Sequence, residues 1–497
     1  MLPAMLVVAC GGGGGGGSDA PSGPAAFRTV AYVYNECRDD PDGRTFAIRQ
    51  EVRVLRDDGT ESGALVTVDA FAAEGLPAHP LPGPIEPHCV GAVRDLSVCA
   101  FYGVARDGSN GVMVGVYQRL AVTPDGSAVV FEKTDDFSAY GADRFLPPEE
   151  EGIFHVRADG TGRRRLGAAS REASFRAGKA TTNAAMCDVS SQDTFGISPD
   201  GRHVSFTDLG PDPSGNHALQ VVAVDLDTGA RRALTQLEHL DPAPDFPLQP
   251  SVVSFGFIDD DTVLYRTRTV AGATPYLVSL DASPPQKIEL GALSPSGGDL
   301  GDGFHISGGR AGTQTFTFSI APEVAEYPPN TDLVREVLWF DAESSYLELT
   351  NFRRGDTRAG ALSVDGEHVF LNASTNRLGT NPEKSCQLFS IDVTGAELLQ
   401  LTHGPETAEG CNLEPPSCDF QILGQDVVTK SVLFVSTCDL ANRRTPFGEG
   451  VFAIRPDGSG LRLLTPLRGG EIGVPSAAEL AGPVAFSRTG AIGRTGR

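Results

Sequence analysis

The stretch Phe195-Gly-Ile-Ser-Pro-Asp-Gly-Arg-His-Val-Ser-Phe206 joins two short apolar runs through a Pro-Asp-Gly turn. Proline presets φ for such a turn, aspartate binds nearby backbone N–H groups, and glycine takes the positive φ that closes the corner. Two further copies of the pattern occupy residues 120–131 and 362–370. The stretch therefore predicts a β-hairpin that is repeated along the chain.

A second kind of turn follows most of these hairpins, where an apolar or aromatic run ends at an aspartate. Successive turns of this kind are separated by 68, 54, 60, 51 and 65 residues, which is a drifting period near 60 with two hairpins in each period. Two consecutive hairpins make one four-stranded antiparallel sheet. In chain order the turns lie at Asp159, Asp227, Asp281, Asp341, Asp392 and Asp457.

Several such sheets in series bury their faces most simply as blades around an axis. The sequence therefore predicts an all-β protein, a β-propeller of four-stranded antiparallel blades. We expect seven blades, with six or eight as alternatives, if a tail strand near 483–487 pairs with N-terminal strands around 29–34 and 46–55 and closes the ring. The hairpin around Asp107 is either an eighth blade or an insertion. A β-sandwich with a second all-β domain is disfavoured, because no long linker divides the chain after residue 25.

The repeat also resembles that of a known family. Residues 198–206, followed by a strand and then 224–235, resemble the repeat of the TolB-type propellers, which reads S-P-D-G-x-x-h-x-F and later D-x-x-T/D-G-x-x-x-x-L-T. Residues 388–402 and 451–465 end on the same Leu-Thr, and 372–381 resembles the family's polar loop between second and third strands. The resemblance implies a propeller fold and a role in the cell envelope, although propellers host both binding and catalysis.

The resemblance covers roughly residues 115–467 and is uneven within them. The Pro-Asp-Gly is lost at 257–264, and the repeat around His305 is barely recognisable.

Charge and composition exclude several classes of protein. The 497 residues include 64 acidic and 40 basic side chains, for a formal charge of −24. Such a surface repels phosphate backbones and anionic lipid headgroups, so we expect neither nucleic-acid binding nor a polybasic membrane patch. A hydrophobic content of 40 % is ample for a buried core and excludes a disordered acidic tail.

The N-terminal residues are typical of a bacterial lipoprotein. An apolar run over 2–9 ends at Cys10, and the sequence Val-Val-Ala-Cys resembles a lipobox, although no Lys or Arg precedes it. We therefore predict lipidation at Cys10, followed by a flexible Gly/Ser/Pro-rich tether. An apolar N-terminus without a signal is the alternative. The predicted segments are a signal peptide and lipobox at 1–10, the tether at 11–26, the propeller at 27–490 and a tail at 491–497.

The remaining cysteines predict up to four disulfides, as in other exported proteins. They form two groups, and we expect pairing within each group, for example Cys386 or Cys438 with Cys411 or Cys418. A zinc site is disfavoured, because no C-x2-C pair occurs. The candidate disulfide cysteines are Cys37, Cys89, Cys99, Cys187, Cys386, Cys411, Cys418 and Cys438.

Motifs of catalysis and metal binding do not occur in the sequence. It contains no Gly-x-Ser-x-Gly elbow, no H-x-x-x-H and no H-E-x-x-H. His203 and His368 follow equivalent turns, which favours solvent-facing repeat positions. The acidic clusters at 39–42, 149–151 and 259–261 do not match a calcium loop and are interpreted as solvated turns. We therefore predict no catalytic residue, no metal and no cofactor, and we assign no ligand-binding residue.

Together these patterns predict a lipid-anchored protein of the bacterial outer membrane that faces the periplasm or the cell surface. Gly11 after the lipidated cysteine is compatible with sorting to that membrane. Its propeller would bind envelope proteins, peptidoglycan-associated components or another ligand. The alternative is an enzyme, a lyase or hydrolase acting on polysaccharide or peptide in the central channel. A structural protein without a small ligand is the third interpretation.

Overall fold

A computed structural model gives the fold. Every regular element among its described residues is a β-strand, in agreement with the predicted all-β class. Residue Cys10 and most of the predicted tether lie outside them. The described residues are 25, 29–39, 46–57, 65–71, 93–95, 100–104, 111–113, 117–133, 149–168, 196–238, 252–257, 259–269, 272–281, 284–287, 305–309, 315–320, 336–341, 345–352, 357–363, 365–404, 410–411, 418, 420–426, 429–436, 438, 440, 450–464 and 478–486.

From β7 to β30 the strands follow one another along the chain in groups of four. In chain order they are β1 (Thr29–Asp39), β2 (Phe46–Arg56), β3 (Val66–Phe71), β4 (Val93–Asp95), β5 (Ala100–Val104), β6 (Gly111–Met113), β7 (Tyr117–Val122), β8 (Ala128–Lys133), β9 (Gly152–Arg157), β10 (Arg164–Gly167), β11 (Gly196–Ile197), β12 (His203–Pro211), β13 (His217–Asp225), β14 (Arg231–Ala233), β15 (Val252–Phe257), β16 (Thr262–Thr269), β17 (Gly272–Ser279), β18 (Gln286–Lys287), β19 (His305–Gly309), β20 (Thr315–Ile320), β21 (Glu336–Asp341), β22 (Ser345–Glu348), β23 (Thr357–Leu362), β24 (His368–Ala373), β25 (Gln387–Asp392), β26 (Leu398–Gln400), β27 (Phe420–Gln425), β28 (Val432–Ser436), β29 (Gly450–Ile454), β30 (Arg462–Leu463) and β31 (Ala478–Phe486).

These strands form seven four-stranded antiparallel sheets, the blades of a propeller. Blade 1 holds β1–β3 with β31, and blades 2 to 7 hold β7–β10, β11–β14, β15–β18, β19–β22, β23–β26 and β27–β30. The predicted architecture is confirmed, and the seven sheets agree with the expected number of blades. Each Pro-Asp-Gly hairpin supplies the first two strands of its blade, and the second hairpin supplies the third and fourth strands.

Blade 1 closes the ring by joining the two ends of the chain. Its strands are ordered β3-β2-β1-β31, with Val30 opposite Phe486 and Tyr34 opposite Leu480. The strand β31 contacts both β27 of blade 7 and β7 of blade 2. The predicted pairing of the tail with the N-terminal strands is therefore confirmed.

A separate three-stranded sheet, β4-β5-β6, precedes blade 2. The strands β5 and β6 pair with each other on either side of the predicted hairpin turn at Asp107, which itself lies outside the described residues. Because β1 and β31 of blade 1 contact β7 of blade 2 directly, this sheet does not separate the two blades, and it is an insertion and not an eighth blade.

The Asp-Gly turns share one set of hydrogen bonds. In blade 3 the Ser198 hydroxyl donates to Asp200 at 2.6 Å and accepts from the His203 N–H at 2.9 Å. The Asp200 carboxylate also accepts from the Arg202 N–H at 3.0 Å. The same three bonds recur in the turns that begin at Thr123 and Ser363. The hydroxyl residue before Pro-Asp-Gly is thus part of the turn.

Aromatic side chains of the second strands fill the core between blades. Phe131, Phe206, Tyr265 and Phe434 are fully buried and lie at corresponding positions of four blades. Phe206 belongs to an apolar cluster formed by residues of blades 2 and 3. Consecutive blades therefore bury their faces against each other, as the repeat predicts.

We expect Gly201→Val to destabilise the protein by about 2 kcal/mol, because a β-branched residue is strained at positive φ. Gly201 has φ of +77°, and a Cβ there would lie 3.3 Å from Pro124 of the neighbouring turn. Thermal unfolding measures the effect. Gly201→Asn is the control and should cost less, since asparagine adopts this conformation more readily. Equal melting temperatures of wild type and the valine variant would show that the turn does not need this glycine.

Candidate binding surface

The connections after the second and fourth strands lie at the end of each blade opposite the Asp-Gly turns. This end is best described in blades 6 and 7. It contains residues 374–387, 401–404, 410–411, 418 and 438, which we call the stapled end. The predicted polar loop, 372–381, contributes its outer part, and it does connect the second and third strands of blade 6.

Two disulfides fasten the stapled end. Cys386 is bonded to Cys411 with 4.7 Å between Cα atoms, and Cys418 is bonded to Cys438 with 5.4 Å. All four residues are buried in one apolar cluster between blades 6 and 7. Since Cys411 and Cys418 lie on the connection between these blades, the connection is tied to blade 6 at one end and to blade 7 at the other.

These two bridges are disulfides of the expected kind, and both lie within the C-terminal group of cysteines. The other predicted cysteines differ in their placement. Cys37 lies on β1, whereas Cys89, Cys99 and Cys187 lie outside the described residues. Their pairing stays a prediction.

A network of amide hydrogen bonds holds the polar loop above the disulfides. The buried Asn381 side chain donates to the carbonyl oxygens of Thr375 at 3.1 Å and Ser385 at 2.8 Å. Its backbone N–H donates to Asn376 Oδ1 at 2.9 Å. The loop therefore has a fixed inner side, and its exposed outer side is available for contact with a partner. The exposed residues are Asn376, Arg377, Leu378, Gly379, Thr380, Pro382 and Glu383.

The Leu-Thr motif has a structural role that the sequence did not reveal. In blade 6 the Thr402 hydroxyl donates to Gln387 Oε1 and accepts from the Leu388 N–H, both at 2.9 Å. Gln387 Oε1 also accepts from the Gly404 N–H at 2.9 Å. This clamp ties the end of the fourth strand to the start of the third.

The same clamp is present in blades 3 and 5. Thr235 donates to Gln220 at 2.8 Å and accepts from the Val221 N–H at 3.0 Å. In blade 5 Thr350 donates to the carboxylate of Glu336. The signal in the sequence is a Gln or Glu that stands 14 or 15 residues before the threonine.

Thr402→Val should lower the free energy of unfolding by about 1–3 kcal/mol, because it leaves the buried Leu388 N–H and Gln387 carbonyl short of a partner. Thr402→Ser keeps the hydroxyl and is the matched control. Chemical denaturation compares the two variants. The clamp would be unimportant if both variants unfolded at the same denaturant concentration.

The acidic cluster at 149–151 is not the solvated turn that we expected. The Glu150 carboxylate pairs with Lys133 Nζ and with Arg163 Nη2, each at 2.7 Å. Glu151 is buried. Hydrogen bonds from Lys133 and Arg163 lower the pKa of Glu150 to about 2. The expectation differs from the structure because Lys133 and Arg163 lie next to Glu150 in space but far from it in sequence. The acidic run at 149–151 alone does not indicate these partners.

This pairing predicts an acid-dependent contribution to stability. Because the pKa of Glu150 is lower in the folded protein than its usual 4.5, the contribution is complete above about pH 4.5 and is lost as the pH falls to about 2. After solvent screening we expect Glu150→Gln to cost about 1 kcal/mol at neutral pH and nothing near pH 2. Glu149→Gln at the exposed neighbouring residue is the control. If Glu150→Gln lowered the free energy of unfolding by the same amount at every pH, that result would contradict the ion pairing.

The candidate metal-ligating residues serve in turns and packing. His203 and His368 do start the second strands of blades 3 and 6, but both are half-buried instead of solvent-facing. Asp259 accepts from two N–H groups of its own turn, and Asp260 accepts from the Asp200 N–H of blade 3 at 2.9 Å. Within the described residues no group of three or more His, Cys, Asp or Glu side chains could hold a metal ion.

Solved structures that resemble this chain include a protein from Agrobacterium tumefaciens assigned as TolB, at 15 % identity and a TM-score of 0.32, covering 55 % of this chain and 80 % of that one. The β-propeller domain of the trilobed protease from Pyrococcus furiosus matches at 10 % identity and a TM-score of 0.41, covering 88 % and 98 %. No protein-family model and no curated protein sequence matches the chain.

An acylaminoacyl peptidase from Pyrococcus horikoshii also matches, at 9 % identity and a TM-score of 0.41, covering 88 % of this chain. The chain spans about half of that enzyme's length, 52 %. The fold is a TolB-like β-propeller. This description of the fold follows from the repeat, because each copy of the repeat occupies the same strands of its blade. The propeller scaffold is therefore established for this chain, and the TolB-like description concerns its fold.

Of the described residues, none forms a helix with the length and apolarity that a membrane span requires. The stapled end is our candidate binding surface. It presents exposed polar side chains on a backbone fixed by disulfides and buried amides, and such an arrangement can bind a partner without ordering a loop first.

Proposed function

We propose that this chain is a lipid-anchored protein of the bacterial outer membrane whose propeller binds other components of the cell envelope. The observation that carries the proposal is the pair of buried disulfides, Cys386–Cys411 and Cys418–Cys438. Disulfides form and persist in oxidising compartments, which in bacteria means outside the cytoplasm. The lipobox-like sequence at Cys10 supports the same compartment.

The proposed partners are envelope proteins or peptidoglycan-associated components, bound at the stapled end. The formal charge of −24 favours partners that are neutral or basic over nucleic acid and anionic lipid. Fixing the loop before binding reduces the entropy lost when a complex forms. A Gly/Ser/Pro-rich tether of the predicted kind would let the propeller reach partners at a distance from the membrane.

We expect Cys10→Ser to move the protein from the membrane fraction to the soluble fraction and to abolish labelling by a radiolabelled fatty acid, because the thiol is the site of acylation. Ser18→Ala, in the same predicted tether, is the control and should stay in the membrane fraction. Fractionation and labelling are measured on the full chain expressed in a bacterial host. Retention of the serine variant in the membrane would overturn the anchor.

Binding to the envelope is tested by crosslinking in intact cells. The tagged protein is captured and its partners are identified by mass spectrometry, with the Cys10→Ser variant in parallel. A reproducible envelope partner that is lost in the variant supports the tethered scaffold. Capture of the protein alone would count against it, and metal analysis and hydrolase assays of the full chain would then test the enzyme alternative.

A further inference from the structure

One position on the fourth strand carries an arginine in three blades. The registers place Arg164 opposite His155, Arg232 opposite Ala223, and Arg462 opposite Ala453. These are corresponding positions of blades 2, 3 and 7, at the outer edge of the propeller.

Each of these arginines links its blade to the next one. Arg164 donates to the carbonyl oxygens of Leu226 and Asp227 in blade 3. Arg232 donates to the Leu280 carbonyl of blade 4. Arg462 pairs with Asp57 of blade 1 at 2.7 Å. In every case the acceptor lies in the turn between the third and fourth strands of the following blade.

Blades 5 and 6 have leucine at this position. Leu347 lies opposite Trp339, and Leu399 lies opposite Ser390. Their exposed fractions are 40 % and 44 %. With Leu378 of the stapled end, they are the large hydrophobic residues that the described part of the chain leaves exposed. The repeat therefore replaces a charged link with an exposed apolar side chain in two adjacent blades.

The leucines do not take over the link between blades. At Gly229 of blade 3, a Cβ would meet the Arg164 guanidinium at 3.1 Å. At the corresponding Gly395 and Gly458 the nearest atoms are backbone oxygens of Leu349 and Leu401, each at 3.4 Å. The turns of blades 6 and 7 thus contact the backbone of the preceding blade, and both leucine side chains are exposed.

Charge also distinguishes this edge from the others. The outer strands of blades 2 and 3 are basic, with Arg163 to Arg165 and Arg231 to Arg232. The charged side chains near the two leucines are acidic instead, namely Glu348 and the exposed Glu397. We call β22, β26 and Glu397 the leucine edge. Both strands are the outermost of their sheets among the described strands.

We propose that the leucine edge binds an extended segment of a partner protein in which apolar residues alternate with lysine or arginine. A segment that lies across the outermost strands of these two adjacent blades would meet Leu347 and Leu399 at the position that holds an arginine in blades 2, 3 and 7. The leucines would contact the apolar side chains of the segment, and the carboxylates would attract its cations. The inference rests on the proposed scaffold role but not on the lipid anchor.

The test is calorimetric titration of the purified full chain with a short peptide in which lysine and valine alternate. Replacing both Leu347 and Leu399 by Ser should weaken binding about fivefold, the equivalent of about 1 kcal/mol of lost apolar contact. His217→Ser, at an exposed position of blade 3, keeps both leucines and should leave binding unchanged. Trp339, the single tryptophan of the chain and the neighbour of Leu347 across the sheet, should change its fluorescence on binding.

Three results would overturn the inference. The first is no saturable heat with the lysine–valine peptide. The second is equal binding by the double serine variant, which would mean that the peptide detects only the net charge. The third is concentration-dependent dimerisation in sedimentation that the double variant abolishes, because the edge would then serve a second copy of the chain. None of these depends on the outcome of the Cys10→Ser fractionation, so failure of this inference and failure of the anchor are distinguishable.

Discussion

The pairing of β31 with β1 is the interaction on which the ring depends. It joins strands from opposite ends of the chain, and it places β31 against the first strands of both neighbouring blades. The entropy of closing so long a loop rises only slowly with its length, so one strand pairing with buried faces on either side is enough to hold it. Each remaining blade is built from residues close in sequence, and blades 2 and 7 gain their second packed face through this closure.

Local chemistry explains why so much of the fold could be predicted. A Ser-Pro-Asp-Gly turn forms through bonds among neighbouring residues, and the bonds of Ser198 and Asp200 are the ones that its residue types require. The buried Phe131 and Phe206 likewise follow from the apolar runs of their strands, which are buried on both faces. Where the turn sequence is lost, at Asp259, a different aspartate turn connects the same two strands.

The surface was harder to predict, because its features depend on residues that only the fold brings together. Glu150 looks like part of an acidic run until Lys133 and Arg163 are placed beside it. The clamp of Gln387 with Thr402 and the arginine links become visible only when the strands are aligned by register. The disulfide pairing was predicted in part, since Cys386 and Cys411 belong to one sequence group. Which cysteine of that group bonds to Cys386 depends on the distance between blades 6 and 7.

The contacts of Ala25 have a mechanical consequence. Ala25 is buried, its N–H donates to the Gly460 carbonyl of blade 7 at 2.7 Å, and its own carbonyl accepts from Arg462. Arg462 in turn pairs with Asp57 of blade 1. A pull transmitted along the chain from residues before 25 therefore reaches blade 7 before it reaches β1. The force is therefore divided between blades 7 and 1. It does not separate β1 from β31 one hydrogen bond at a time.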